Sequence, residues 1–184
     1  GMWDDAIEAN IASLATARSQ GQGGYHALEW LAYAYLQQGM RDDAAKLVQS
    51  VADDVARNPT QGNRTTLAYA RAMWLVETGS ADPMGWADVD ETGIKAISAF
   101  SAYDFARGVV AARSGDVSAA EAQARRLQAR SDAARANAVG VVASRYDSVT
   151  PVELEQGQIL ATALEGAILF AQGKRDDGLD RVRQ

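Results

Sequence analysis

The chain has 184 residues, 47% of them hydrophobic, with a formal net charge of −6, one histidine and no cysteine. That is enough apolar material for a buried core, in one domain or a short solenoid, while the missing cysteine excludes disulfides, thiol catalysis and cysteine-based zinc sites without choosing a compartment. The acidic balance argues against a nucleic-acid surface, and no apolar run of about 18 residues or basic-then-apolar start predicts a membrane span or targeting segment, so localisation stays open.

In chain order, Trp3 to about Arg18 reads as a helix, and Gly21-Gln22-Gly23-Gly24 as a linker. Residues 25 to 51 then read as two amphipathic helices joined by a tight turn at Gly39. Leu28, Leu31, Ala32 and Tyr35 share one face of the first, and Ala44, Leu47, Val48 and Val51 one face of the second. Leu67 to Thr78 reads as another first helix, ending at Gly79. Residues 80 to 93 carry one proline, two glycines and four acids, which predicts a short or irregular second helix with Trp86 plugging against its neighbours. Asp88 to Gly93 has the start of a calcium loop, but the required acidic twelfth position is Ala99, so no metal is expected there. Ile94 to Ser114 predicts a long helix with Ile97, Phe100, Gly108 and Ala111 for packing. Its partner, Val117 to about Asn137, carries Arg125, Arg126, Arg130 and Arg135, read as a solvated face in preference to a phosphate site. Val139 to Val149 is the long connection. Thr150-Pro151-Val152-Glu153 then predicts a capped helix start, opening a helix to about Gln172 that packs through Ile159, Leu160, Leu164, Gly166, Ile168 and Leu169.

One turn is written repeatedly: Gly1-Met2-Trp3-Asp4-Asp5-Ala6, Gly39-Met40-Arg41-Asp42-Asp43-Ala44, Gly173-Lys174-Arg175-Asp176-Asp177-Gly178 and, more loosely, Gly115-Asp116-Val117-Ser118-Ala119-Ala120. Glycine lets the chain reverse after a helix, and acids in the next first turn suit the helix dipole. Adjacent helical acids point about 100° apart, so Asp42/Asp43 and Asp176/Asp177 are expected to be structural and not metal or catalytic pairs. The turn glycines at 1, 39, 79 and 115 lie 38, 40 and 36 residues apart, and the last step, to 173, is 58, implying an insertion at about 137 to 150. Both ends fall within the repeat phase, so the expectation is a single domain over 1–184 that is part of a longer array, with partial repeats at both ends.

Leu28, Leu31, the small Ala32, Tyr35, Gly39, the small Ala44, Val48 and the Asn58-Pro59 stop stand at tetratricopeptide-repeat spacing, and the chain resembles that family. Val48 stands where the family prefers an aromatic residue, and the proline arrives a few residues late. The stretch from Tyr25 to Gly39 and the run from Ser98 to Gly108 are similar to uncharacterised bacterial proteins of this class. The resemblance implies an all-α fold, a right-handed superhelical array of antiparallel helix hairpins, with first helices lining a concave face that takes peptide or protein segments. Transferred to matching positions, that face comprises His26, Glu29, Tyr33 and Gln37, then Tyr69, Met73 and Glu77, then Phe105 and Arg113. Tyr33, Tyr69 and Phe105 are 36 apart and suggest an aromatic row.

His26 is the only histidine, and no nucleophile elbow, P-loop or dinucleotide motif in strand context appears. The expectation is therefore a protein-interaction scaffold and not an enzyme, with no cofactor, metal or nucleic-acid partner. A self-assembly module using the convex face or ends is the alternative. An all-helical enzyme built on paired buried carboxylates is the remote one.

Overall fold

Three chain reversals are built alike in the computed structural model, which describes residues 1–79, 86–138 and 150–183. Gly39, Gly115 and Gly173 take left-handed φ values of 74°, 81° and 81°. At each, the following residue donates its N–H to a carbonyl five residues back: Met40 to Tyr35 at 2.8 Å, Asp116 to Ala111 and Lys174 to Leu169 at 2.9 Å. This bond satisfies a terminal carbonyl of the finished helix, and a left-handed residue with a Cβ would strain the reversal.

The turns connect α2 (Tyr25–Gln37) to α3 (Arg41–Arg57), α5 (Ile97–Arg113) to α6 (Val117–Ala138) and α7 (Pro151–Ala171) to α8 (Arg175–Val182). The remaining helices among the described residues are α1 (Met2–Ser19) and α4 (Gln61–Thr78), and no strand occurs among them. Each helix packs on the next in sequence, and α2 also touches α4, as α5 touches α7. The first helices α2, α4, α5 and α7 thus form a contiguous series, each touching the next. The repeat reading placed most of these boundaries closely, but α4 begins at Gln61 and not at Leu67, α3 continues past Val51 to Arg57, and the helix expected from Ile94 begins at Ile97. Thr150 caps α7 as expected: its hydroxyl accepts the Glu153 N–H at 3.2 Å, and Glu153 accepts the Thr150 N–H at 2.9 Å.

Leu28, Leu31, Val51, Leu67, Leu75 and Tyr103 belong to the main core, and Val109, Leu164 and Ile168 to a second one between α5 and α7. There the helices come so close that a Cβ on Gly108 would lie 2.6 Å from Leu164 Cδ2. Ile159, expected to pack, is 67% exposed. It lies two residues from the buried Gly157 and Ala161, on the opposite face of α7.

No second helix follows α4 within residues 86–96, an irregular segment that drops Val89 and Ile94 into the main core. Trp86 is the expected plug: it meets Trp74 edge-on at 5.4 Å, carries the Arg71 guanidinium 3.9 Å above its ring and donates to Gln49 at 2.7 Å. Residues 80–85 of the expected irregular stretch, and 139–149 of the expected insertion, lie outside the described residues.

The acids of this segment meet arginines from three helices. Asp90 pairs with Arg64 of α4 at 3.0 Å, Asp88 with Arg107 of α5 at 3.4 Å, and Glu91 with Arg126 and Arg130 of α6. This revises the reading of α6 as a solvated basic face. Arg125 and Arg135 do lie at the surface, beside Glu121 and Asp132. Arg126 and Arg130 turn inward and reach Asp104 at 3.1 and 2.8 Å, a carboxylate with no exposed surface. Burial lifts Asp104 to about 6 against the pull of Arg130 and Arg126. Arg130 also lies 4.2 Å above the Phe100 ring.

Removing one partner from a buried ion-pair group leaves uncompensated charge. Asp104→Ala is expected to lower unfolding free energy by about 3 kcal/mol in urea denaturation. The exposed Asp132→Ala should change it by less than about 0.5 kcal/mol.

Candidate functional site

On α2, His26, Glu29, Trp30, Tyr33 and Gln37 recur at three- and four-residue spacing, so they form one stripe opposite the buried Leu28, Leu31 and Ala32. Met73 and Glu77 occupy the corresponding stripe of α4. The two stripes meet over a cleft of about 480 Å³ lined by His26, Glu29, Trp30, Tyr33 and Met73. At one end Gln37 donates to Glu77 at 2.9 Å, tying α2 to α4.

The cleft is aromatic. Trp30, 54% exposed, meets Tyr33 edge-to-face with centroids 6.2 Å apart and planes at 85°, and His26 at 6.3 Å and 79°. Trp3 of α1 backs Tyr33 at 5.7 Å. Among them Glu29 is half-buried, with no hydrogen-bond or ion-pair partner among the described residues. Burial alone pushes its carboxyl up to about 7.

A second cleft of about 480 Å³ runs between α5 and α7. Phe105, Val109 and Arg113 line one wall and Ala163, Ala167 and Phe170 the other. Arg113 donates to the Val76 carbonyl at 3.2 Å, fixing its guanidinium across the end of α4.

The nine groove positions from the sequence therefore divide. His26, Glu29, Tyr33 and Met73 share the first cleft, with Gln37 and Glu77 bonded at its end, while Phe105 and Arg113 line the second. Tyr69 lines neither. It packs on the main core and donates to Ser98 at 2.6 Å, and Ser98 in turn donates to Glu153 at 3.1 Å. The spacing of 36 puts Tyr33, Tyr69 and Phe105 at equivalent helix positions and all three are half-buried, but only Tyr69 packs on the main core with its hydroxyl tied to Ser98 of α5.

Trp30 and Phe170 are the large exposed aromatics that sequence reasoning missed. For Trp30 a signal exists: it stands four residues after His26 and three before Tyr33 on the same stripe. Phe170 carries none of comparable strength, since its exposure depends on how α8 covers α7.

A further cleft, of about 680 Å³, has walls that include Arg18, Tyr25, Asp53, Asp54, Arg57 and Asn63. Its groups are engaged with one another: Arg57 with Asp54, and Tyr25 with Asn63 at 3.1 Å. Among the described residues, no group of three or more histidine, aspartate or glutamate side chains is placed to hold a metal ion, and no helix is long and apolar enough to cross a membrane. Comparison with protein-family models, curated proteins and solved structures returns no match for this chain.

Glu29 gives the cleft a pH signature. Its folded form holds a proton more tightly than the unfolded chain, so its contribution is most favourable at low pH and is lost as pH rises from about 4.5 to about 7. His26 and Tyr33 of α2 line the same cleft, and Tyr69 of α4 interacts with Glu29 electrostatically. Glu29→Gln should therefore stabilise the protein at pH 8 by about 1 kcal/mol, solvent screening most of the penalty, and leave it unchanged at pH 4. Thermal denaturation at the two pH values checks this.

Proposed function

We propose that the chain is a tetratricopeptide-like scaffold that binds a peptide or protein segment across the face formed by α2, α4, α5 and α7. The observation carrying this reading is the first cleft, where an exposed tryptophan and an unpaired carboxyl project from α2 beside Met73 of the adjoining α4. A large exposed aromatic in a surface cleft gains apolar burial only when something covers it, and such residues dominate the energetics of interfaces. The repeated glycine turn and the contiguous first helices favour a hairpin array, whose repeats stack through their neighbours and leave an extended binding surface. The chain acts, on this reading, by binding and not by catalysis.

Self-assembly is the second reading, favoured by apolar side chains exposed on the first and last helices. Met2 and Ile11 of α1 are 76% and 46% exposed, and Leu179 and Val182 of α8 are 44% and 53% exposed.

Affinity capture from a native extract separates the two. A partner retained by the native chain should be lost, by about tenfold or more, from a folded Trp30→Ala bait, while Ile159→Ala bait retains it. Equal capture by all three baits would move binding away from the cleft.

A further inference from the structure

Resting on the scaffold reading, the first cleft also carries information about the chemistry of its occupant. No lysine or arginine lines it, and its one carboxylate, Glu29, makes no hydrogen bond or ion pair among the described residues. An acidic ligand would bring a second negative charge beside Glu29 in a partly desolvated site. A basic one would supply the missing counter-charge. The rings favour the same choice, because the exposed Trp30 and Tyr33 both line the cleft and an ammonium group is attracted to an aromatic face. Met73 and the ring edges offer soft apolar contact for a methylene stem, as long basic side chains require.

We propose that the cleft beside Trp30 and Tyr33 seats a lysine side chain of the bound peptide segment, its ammonium group held between an aromatic face and the Glu29 carboxylate. Specificity then arises from charge and not from depth. A neutral chain of the same length gains the apolar contacts but leaves Glu29 unpaired, and an acidic one is repelled.

The test uses the whole 184-residue chain. Nα-acetyl-lysine N-methylamide and its neutral counterpart Nα-acetyl-norleucine N-methylamide are titrated at pH 8, following the Trp30 indole N–H and the Met73 methyl by NMR. The lysine probe should half-saturate both signals at a concentration about tenfold below the norleucine probe, and Glu29→Gln should bring the two within about twofold. Trp30→Ala should abolish the Met73 response to both.

Equal responses to the two probes would overturn the cationic assignment while leaving an apolar peptide cleft, and with it the scaffold reading, intact; a lysine preference that survives Glu29→Gln would overturn the pairing with Glu29. No response to either probe would overturn the proposal, and the capture experiment would then judge the scaffold reading on its own. Movement of the Trp30 signal with protein concentration alone would assign the cleft to a second copy of the chain and overturn the lysine seat.

Discussion

Each described hairpin depends on a left-handed glycine that ends one helix and lets the next begin within three residues. Because the reversal is short, the second helix returns along the first and covers its apolar face, leaving the opposite stripe uncovered. On α2 that division is sharp: Leu28, Leu31 and Ala32 point into the protein, while His26, Glu29, Trp30, Tyr33 and Gln37 are left for the surface. The cleft follows from the turn, since a looser connection would free α3 to cover either face.

The exception is α4, which ends at a left-handed glycine of its own, Gly79 with φ 63°, yet is not followed by a helix in residues 86–96. The irregular segment buries two apolar side chains, Val89 and Ile94, where a helix would bury a whole stripe. Ion pairs add to the attachment made by Trp86: Asp88, Asp90 and Glu91 reach arginines of α4, α5 and α6, and Asp104 anchors two of those arginines from beneath. The segment therefore joins α4 and α5 through charge as well as through packing. Its strength should depend on all members being present, since a half-satisfied buried network costs more than none.

Sequence alone showed the hairpins well, because glycine turns, small residues and apolar stripes are local signals that repeat. Gly39, Gly115 and Gly173 were placed by pattern, as was the Thr150–Glu153 cap. The arginines of α6 were not legible. Their partners Glu91 and Asp104 lie 22 to 39 residues away in sequence, and no local spacing reveals which of four arginines turns inward. The cleft was legible in part. Helical spacing from the family resemblance found His26, Glu29, Tyr33 and Met73. The difference between Tyr33, in the cleft, and Tyr69, on the main core with its hydroxyl bonded to Ser98, is set by which helices flank each one, and Ser98 and Glu153 belong to elements distant in the chain. Ile159 fails for a similar reason: an apolar residue on a long helix is buried only where another helix arrives.

The central claim is that the α2–α4 cleft is a peptide-binding surface selective for a basic residue. Selection of random peptides displayed on phage against the immobilised chain, with Trp30→Ala as the counter-selection target, tests it most directly. The account predicts enriched sequences that share a lysine flanked by apolar residues and that fail to bind the counter-target. Enrichment of acidic sequences, or of sequences held equally by both targets, would contradict it.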